Sequence, residues 1–544
     1  MMDREIQSAD GGPTSGVGTM REWSHRLLVI LACTAVVATV GCADDEENGF
    51  QNDVDHNSAI DAGTDSSTEP DATEPDADVT DDADAEPGEV DPMEEPPIPG
   101  ENPGWVGGHS VEERPVVVEH FGEEGPVLFV LSAIHGDERL AVIYGERFRT
   151  ELNAGFASRH GIQVVFMQAT NPDGIEAYSR HNANGIDLNR NFPTANFNPG
   201  GPGGDTALSE PEAEAIRDAV DASGLTSVLT LHCCVPGFDY DGPGGELAQV
   251  MSEAMDPDHR FDVLDLGAAS GSLGSYVGLE MERPIITVEF ARFEDFDPFI
   301  QLDEMDHSVG AAADWTADNP SGEVLEFGDM TTEDTWSYRS DYPGESAGGI
   351  PLRVESIGEP GDERFVLLSG LDGELKTGPW IAEHIRRELL GLPQLDADHW
   401  QIVTAANPDG IADRSRTNDD GVDIAADVAD EVSTTTEASV VLDLLDEAPA
   451  TVFLVTNSGD GDDRVHIVGA DDDELEEQIP VRFSQDSEPE NTELADSLAD
   501  RGFTVVQIDV GTENLEAQSQ DGGFADGLDS PFDFGEMVFE MAGL

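Results

Sequence analysis

The sequence repeats three of its motifs in the same order and at one fixed spacing. The second copy of each motif lies 236 residues after the first (351 − 115, 407 − 171 and 423 − 187). The pairs are Ser110-Val-Glu-Glu-Arg-Pro115 with Ser346-Ala-Gly-Gly-Ile-Pro351, Asn171-Pro-Asp-Gly-Ile175 with Asn407-Pro-Asp-Gly-Ile411, and Gly185-Ile-Asp187 with Gly421-Val-Asp423. A constant spacing over three motifs indicates two copies of one domain. We place them at residues 104–320 and 336–544, and name them the first and the second repeat.

The chain is strongly acidic, and its charge excludes several kinds of partner. Its 544 residues include Asp+Glu 116 against Lys+Arg 25, a net charge of −91, and Lys376 is the only lysine. Nucleic acids and anionic membrane surfaces are bound through clustered Lys and Arg, so we expect neither as a partner. Such a surplus of carboxylates is typical of a secreted protein that its charge keeps soluble.

The N-terminal 42 residues have the features of an export signal. Arg21 and Arg26 precede the apolar run Leu27–Val40, which is short for a membrane span. The run ends at Thr39-Val-Gly-Cys42, which resembles a bacterial lipoprotein box with Cys42 as the lipidated residue. A simple cleaved signal and an uncleaved anchor are the alternatives. We predict an exported protein, anchored by this lipid at the bacterial cell envelope, on its periplasmic face or on the cell surface.

Residues 43–103 are dominated by Asp, Glu, Pro, Ala and Thr. A segment with so little apolar surface cannot offset the entropy of ordering itself, and its charges repel one another. We therefore predict a disordered acidic linker that holds the folded repeats away from the envelope.

Apolar runs alternate with helical patterns in the first repeat. Four runs predict buried strands: Val127–Ile134, Ile162–Thr170, Ser227–His232 and Pro284–Phe290. Glu138–Leu152 and Glu210–Ala222 predict amphipathic helices between them, and Ser209-Glu-Pro-Glu212 predicts a capping box at the start of the second helix. This alternation predicts an α/β fold, in which each repeat has a mostly parallel or mixed sheet with helices on both faces.

Polar residues suited to metal binding stand at the ends of these strands. His135-Gly-Asp-Glu138 follows the first strand, His232 ends the third and Glu289 ends the fourth. Burying such groups costs free energy unless they have partners, and the carboxyl ends of parallel strands meet at one edge of a sheet. Two histidines and a carboxylate match the ligand set of catalytic zinc, which keeps one position open for water. Glu289 is then free to act as the base, and Arg180 can supply a fixed positive charge.

Together these motifs resemble the zinc carboxypeptidase family over essentially all of the first repeat. The resemblance rests on motifs in matching order: Gly108-His-Ser110, His135-Gly-Asp-Glu138, Asn171-Pro-Asp-Gly174, Arg180-His-Asn182, Gly185-Ile-Asp-Leu-Asn-Arg-Asn-Phe-Pro193, Ser209-Glu-Pro-Glu212, His232 and Glu289. It implies that His135, Glu138 and His232 bind one zinc ion per chain. It also implies that Glu289 activates the attacking water and that Arg180 steadies the oxyanion.

The same resemblance suggests residues that hold the substrate. Asn189 and Arg190 would grip a terminal carboxylate, a task that suits the planar guanidinium group. Fixing the loop is the alternative role for this pair. Leu273 and Tyr276 lie in Gly271-Ser-Leu-Gly-Ser-Tyr276, where carboxypeptidases build the pocket for the terminal side chain. Leu273 would favour an apolar or small terminal residue, and either Tyr276 or Tyr240 could be the mobile tyrosine of the digestive enzymes.

The short repeat and Ile134-His-Gly-Asp-Glu138 resemble the bacterial murein peptide amidase branch of that family. The implied function is a zinc metallocarboxypeptidase, a hydrolase that cuts a C-terminal peptide bond or a γ-glutamyl bond of a cell-wall peptide. Aspartoacylase and succinylglutamate desuccinylase relatives share several of these motifs, so an N-acyl amino acid amidohydrolase is the alternative. A non-catalytic surface binding protein is the second alternative.

The second repeat has lost this site. The residues that replace His135, Glu138, His232 and Glu289 are predicted to be Asp372, Leu375, Asn457 and Asp509, while Ala425-Ala426 replace Asn189-Arg190 and Arg416 keeps its type. Leucine cannot bind zinc, and oxygen ligands alone suit it poorly. We expect zinc in the first repeat only, and a second repeat that packs on the first or binds ligands.

Cys233 and Cys234 follow His232 directly. Adjacent residues of a strand point to opposite faces, so both cannot bind the same metal. We expect either two small buried apolar residues or a vicinal disulfide.

Overall fold

The structure is a computed structural model that describes residues 104–292, 296–321, 338–358, 364–392, 399–430, 433–446, 450–458, 464–469, 492–511 and 538. These residues all belong to one compact unit, Val90–Leu544. The predicted signal with Cys42 and the predicted linker lie outside them. Among the helices of the described ranges, none has both the length and the apolar character needed to cross a membrane.

The first repeat contains an eight-stranded sheet. Its strands are β1 (Gly104–His109), β2 (Pro115–Phe121), β3 (Val127–Leu131), β4 (Gln163–Met167), β5 (Ser227–Cys233), β6 (Gly237–Asp241), β7 (Val263–Leu264) and β8 (Ile285–Phe290). Their order across the sheet is β1-β2-β4-β3-β5-β8-β6-β7. The central strands β4, β3, β5 and β8 are parallel, whereas β1, β2 and β6 pair antiparallel with their neighbours towards the centre. The predicted α/β class is confirmed.

Helices cover both faces of this sheet, as predicted. They are α1 (Arg139–Asn153), α2 (Phe156–His160), α3 (Pro172–Glu176), α4 (Pro211–Ala222), α5 (Gly245–Ala254) and α6 (Pro298–Asp318). Leu128 and Val130 of β3 belong to a buried cluster with side chains of α1, α5 and α6. Val127 and Phe129 belong to a different cluster, with side chains of α4. Alternate residues of β3 therefore pack into two different cores, one on each face of the sheet. For this reason the sequence of β3 is apolar throughout.

The second repeat has the same strand connectivity. Its strands are β9 (Tyr338–Glu345), β10 (Pro351–Ile357), β11 (Arg364–Ser369), β12 (His399–Val403), β13 (Thr451–Ser458), β14 (Arg464–Val468) and β15 (Thr504–Gly511). Their order is β9-β10-β12-β11-β13-β15-β14, which matches β1-β2-β4-β3-β5-β8-β6 strand for strand. The helices are α7 (Thr377–Leu390), α8 (Pro408–Asp413), α9 (Ile424–Ala429), α10 (Thr436–Leu445) and α11 (Glu493–Asp500). The exact limits of the repeats stay a prediction.

The predicted capping box at the start of α4 is wrong. Glu210 is the N-cap residue, Pro211 begins the helix, and no side chain caps it. The Ser209 hydroxyl donates a hydrogen bond to the Glu210 carboxylate. Glu212 instead accepts hydrogen bonds from the backbone N–H of Val111 and from Asn182. Tertiary contacts therefore take the Glu212 carboxylate that a capping box would have used.

Candidate metal centre and active site

Three segments that are far apart in sequence meet at the carboxyl edge of the first sheet. His135 lies in the turn that leads from β3 to α1, and Glu138 is the N-cap residue of that helix. His232 lies near the end of β5, in register with Glu289 of the parallel strand β8. Paired residues on neighbouring strands project from the same face of the sheet, so the topology places all four residues at one edge.

The three predicted metal ligands converge. His135 Nδ1 lies 2.8 Å from Glu138 Oε1, and His232 Nδ1 lies 3.0 Å from Glu138 Oε2. The two Nδ1 atoms are 3.2 Å apart. All three side chains are buried. Within the ranges that the structure describes, this is the one group of His, Cys, Asp or Glu arranged to hold a metal ion, and its ligand atoms lie within 4.8 Å of one another.

The electrostatics of the cluster favour positive charge at its centre. Burial alone would raise the pKa of Glu138, but His135 and His232 hold that pKa well below its usual range. Burial likewise opposes protonation of His135, yet Glu138 and Asp187 raise its pKa to about 9. Two imidazole nitrogens that face each other beside a buried carboxylate form a donor set of the kind that zinc takes in catalytic sites. The residues present therefore fit a zinc ion.

Glu289 has the features of a proton acceptor. Burial, together with the nearby negative charge of Glu138, raises the pKa of Glu289 to about 8. Its Oε2 atom is buried and has no hydrogen-bond partner among the described residues. A carboxylate with one uncommitted oxygen is free to exchange a proton with a substrate or a water molecule.

Asp187 is a site residue to which the sequence analysis gave no role. Its Oδ1 lies 3.1 Å from His135 Nε2, and its Oδ2 accepts a hydrogen bond of 3.1 Å from Arg180 Nε. An acceptor at Nε2 places the imidazole proton there and leaves the Nδ1 lone pair for a metal. Arg180 Nη1 also donates to Glu138 Oε1 at 3.3 Å. A signal was present in the sequence, because Asp187 is one of the motif positions that the second repeat retains as Asp423.

We expect Asp187→Asn to weaken zinc binding by about 10- to 100-fold, since loss of such an outer-shell carboxylate typically has that effect. Competition with a chelator of known affinity measures the change. Asp423→Asn is the matched control, because Asp423 holds the equivalent arginine, Arg416, at 2.7 Å. Equal zinc affinities for the two variants would contradict the role of Asp187.

Several of the shared motifs serve the fold and not the chemistry. A Cβ atom on Gly136 would lie 1.9 Å from the carbonyl carbon of Gly174, so His135-Gly-Asp-Glu138 can pack on the Asn171 loop only with glycine at 136. Gly373 meets Gly410 at the same distance in the second repeat, where the ligands are gone. The contact survives without the site and is therefore structural.

The predicted substrate residues lie in two different environments: Asn189, Arg190 and Leu273 are linked to one another, whereas Tyr276 contacts Phe192 and α4. Asn189 Oδ1 accepts a 2.9 Å hydrogen bond from the backbone N–H of Leu273, so these two are brought together. Arg190 Nη1 donates to the carbonyl oxygen of Asn189. Leu273 is buried in the core beside α4. Tyr276 stacks on Phe192, and its hydroxyl donates to Asp221 of α4 and not to the metal-ligand cluster.

The other candidate tyrosine is also engaged elsewhere. The Tyr240 hydroxyl donates to Asp265 at 3.3 Å. Among the hydrogen bonds found in the described residues, none joins either tyrosine to the metal-ligand cluster.

Comparison with known protein families supports this geometry. The family model described as zinc carboxypeptidase matches residues 105–234, a range that includes His135, Glu138 and His232. The first repeat is similar to zinc carboxypeptidase domains. Members of this family depend on zinc, and the similarity supports a hydrolase of the metallopeptidase type.

The chain is similar, at low identity, to two named proteins. Murein peptide amidase A of Escherichia coli (strain K12) is 29% identical over 181 residues, which are 30% of this chain and 69% of the amidase. Carboxypeptidase SOL1 of Arabidopsis thaliana is 31% identical over 150 residues, which are 26% of this chain and 28% of that protein.

Two solved structures are similar to part of the chain. Murein-tripeptide amidase MpaA from Escherichia coli O157 is 22% identical, with a TM-score of 0.30, over 40% of this chain and 92% of the other. Bovine thrombin-activatable fibrinolysis inhibitor is 17% identical, with a TM-score of 0.36, over 41% of this chain and 92% of the other.

The second repeat has other residues at the positions of the metal-ligand cluster, with one correction to its predicted alignment. Thr456 of β13 pairs in register with Asp509 of β15, just as His232 pairs with Glu289. Thr456, and not Asn457, therefore replaces His232, because strand pairing and not sequence spacing decides the equivalence. The Thr456 hydroxyl donates to Asp509, and Asn457 accepts from the backbone of α7.

Cys233 and Cys234, which follow His232, form a vicinal disulfide, and this decides between the two predicted alternatives. Cys234 has a positive φ of 98°, and its backbone N–H donates to the carbonyl oxygen of Phe290 on β8. Neither sulfur belongs to the metal-ligand cluster.

Proposed function

We propose that the first repeat is an exported, zinc-dependent metallocarboxypeptidase that hydrolyses a peptide or cell-wall peptide near its C-terminus. The observation that carries this proposal is the convergence of His135, Glu138 and His232 next to an uncommitted carboxyl group on Glu289. The similarity of residues 105–234 to zinc carboxypeptidase domains supports it independently. No observation favours the acyl amino acid amidohydrolase or the non-catalytic binding protein over this function.

The proposed chemistry divides between a metal and the chain's own residues. Zinc held by the His–Glu–His cluster would supply the Lewis acidity that lowers the pKa of a water molecule and polarises a carbonyl group. Glu289 accepts a proton from that water and returns it to the leaving nitrogen. Arg180, half-exposed at the edge of the cluster, carries the positive charge that stabilises the oxyanion.

The proposed substrate ends in a free carboxylate. Asn189 and Arg190 lie on the segment that follows Asp187, which contacts both His135 and Arg180, so a group bound there is held close to the metal ligands. A guanidinium group recognises a carboxylate through parallel hydrogen bonds. The backbone N–H of Leu273 holds Asn189 in place, and the Leu273 side chain is buried in the core behind it. A small or apolar terminal side chain of the substrate stays a prediction from the sequence.

The names of the relatives suggest the substrate class. Proteins called murein peptide amidase and carboxypeptidase are similar to this chain over the first repeat. We therefore propose a peptide, or the peptide part of peptidoglycan, as the substrate.

Blocking the C-terminus of the substrate tests this proposal. We expect turnover of peptides with a free C-terminus and a loss of turnover when the same peptides are amidated, because the neutral amide cannot pair with Arg190. A γ-glutamyl tripeptide from cell wall and an N-acyl amino acid, assayed in parallel, separate the cell-wall peptidase from the amidohydrolase. Equal turnover of free and amidated peptides would rule out a carboxypeptidase.

We further propose that Cys42 anchors the protein at the cell envelope, on the strength of its position after the apolar run. Labelled fatty acid should enter the wild type and not Cys42→Ala. Equal labelling of both proteins would exclude this anchor.

A further inference from the structure

The two repeats meet through a buried cluster of ionised side chains with pseudo-two-fold symmetry. Each repeat contributes a glutamate from its second strand and an arginine from its first long helix: Glu119 and Arg149, Glu355 and Arg386. Arg149 donates to Glu119 at 2.7 Å and to Glu355 at 2.9 Å. Arg386 donates to Glu355 at 2.6 Å and lies 3.4 Å from Glu119. All four residues are at most 2% exposed.

Equivalent residues of the two repeats therefore face each other, as they do in a symmetric homodimer. Charged groups so deeply buried are stable only when each has a partner. Here the partner of each charge comes in part from the other repeat. Trp380 of α7 adds apolar contact, because it lies in the same buried cluster as Tyr144 and Phe148 of α1.

The residues that flank this cluster differ between the two repeats. They therefore favour contact between the first and the second repeat over contact between two identical repeats. Glu383 of α7 accepts hydrogen bonds from Arg149 at 2.6 Å and from Asn153. Glu146 of α1, the residue equivalent to Glu383, accepts from Arg387 at 2.7 Å and from His384.

Two copies of the first repeat would lack the pairs that Arg387 and His384 make with Glu146. Thr150 stands at the position of Arg387, and Arg147, at the position of His384, is paired with Asp303 and Asp306. The buried Glu146 would then keep only Arg149 of the other copy, by analogy with the Arg149–Glu383 pair, in place of Arg387 and His384. This surface of the first repeat fits the second repeat better than it fits a copy of itself.

The surface also connects to the proposed metal site. Glu146, Arg149 and Asn153 all lie on α1, the helix that begins immediately after its N-cap residue Glu138. The second repeat therefore holds the helix whose N-cap residue is a metal ligand. Displacement of α1 would move Glu138 relative to His135 and His232, and a small displacement is enough to weaken a metal site.

We propose that the second repeat, which lacks its own site, is a tethered structural partner that binds the α1 face of the first repeat and keeps Glu138 in position for zinc. The inference rests on the proposed function only in taking Glu138 as a zinc ligand. Its readouts are association and zinc content, so a failure to hydrolyse peptides would leave it standing.

A cut between the repeats tests the proposal in the whole protein. A protease site inserted among residues 322–337 allows the folded, zinc-loaded chain to be cleaved after purification. We expect the two halves to stay together on gel filtration at micromolar concentration, and to release zinc when mild urea separates them. Halves that separate spontaneously, or a first half that keeps its zinc after separation, would overturn the proposal.

Substitution of Arg149 tests the contact itself. In the cut protein, Arg149→Met should separate the halves and lower zinc affinity at least tenfold, as measured against a chelator. Arg217→Met on α4, an arginine paired only with acids of its own helix in the described structure, is the matched control and should change neither quantity.

A second substitution shows whether Arg149→Met acts by breaking the ion pair with Glu383 or by misfolding the protein. Adding Glu383→Gln to Arg149→Met should restore part of the association, because it removes the carboxylate left without its arginine while glutamine can still bond to Asn153. Wild-type affinity for zinc in Arg149→Met would overturn the proposed link to Glu138. Should Arg149→Met fail to fold, the cut wild-type protein decides the question alone.

Discussion

Glu289→Gln should abolish peptide hydrolysis and leave zinc binding intact. The glutamine amide has nearly the shape of the carboxylate but cannot accept a proton, and general-base catalysis contributes about 10²- to 10⁴-fold to such reactions. Because Glu289 is not one of the three proposed metal ligands, the variant should still bind one zinc ion per chain. We therefore expect kcat/KM to fall by several orders of magnitude while zinc content, measured by mass spectrometry of the metal, stays constant.

An exposed glutamate on the same repeat provides the control for this variant. Glu246 lies in the first turn of α5 and is exposed. Glu246→Gln removes the same charge from the chain and should leave both turnover and zinc content unchanged. The role of Glu289 as the base would be refuted by a Glu289→Gln variant that retains more than about a tenth of the wild-type kcat/KM.

The second large effect concerns the metal. His135→Ala and His232→Ala should each cost the protein its stoichiometric zinc, since a tetrahedral site with two protein ligands is a poor one. Zinc binds to a site of four ligands with a free energy of ~10–16 kcal/mol. One ligand therefore accounts for several kcal/mol of the binding free energy, which is roughly 10²- to 10³-fold in affinity. Titration of the full-length variants with zinc in the presence of a chelator measures this loss.

The same experiment tests whether the second repeat binds zinc. The double variant His135→Ala/His232→Ala retains the whole second repeat, in which Asp372, Leu375, Thr456 and Asp509 occupy the corresponding positions. We expect no stoichiometric zinc in it, because these residues offer no nitrogen or sulfur ligand. His160→Ala is the control, since His160 is paired with Asp314 at a distance from the site. One zinc ion retained by the double variant would place the metal elsewhere.

The full chain is the right material for these tests. Isolated residues 104–320 would lose the partners of Glu146 and Arg149 and would uncover the α1 face on which Trp380 packs. A defect of the isolated repeat would therefore report the loss of the interface and not the chemistry of the site.

The repeat made the structural motifs distinguishable from the chemical ones. Ser110 donates to Asp173, and Ser346 donates to Asp409 in the same way, although only the first repeat keeps the metal ligands. Asn171 and its equivalent Asn407 each accept from the glycine three residues later. These serine and asparagine positions, preserved in both repeats, stabilise the turns around the site. Arg180 and Asp187 are also retained, as Arg416 and Asp423, but only in the first repeat do they contact metal ligands. Positions preserved only in the first, such as His135 and Glu138, are those that chemistry would require.

The burial of the central strands on both faces explains why sequence patterns predicted them well. Continuous apolar runs predicted β3, β4, β5 and β8 within a few residues, because strands buried on both faces need apolar side chains throughout. A polar residue at the end of such a run is conspicuous, so His232 and Glu289 could be recognised without coordinates. The predicted pocket residue Tyr276 had no comparable signal, and its hydroxyl bonds to Asp221 instead.

Sequence alone determined the α/β class and the identity of the candidate ligands, and it predicted the repeat, because hydrophobic periodicity and motif spacing can be read along the chain. Only the tertiary structure decided which side chains act on those ligands from a distance. Asp187 orients His135 from another loop, and Arg149 joins glutamates that are 206 and 234 residues away. Such contacts depend on how strands and helices pack in three dimensions, and no local pattern records them.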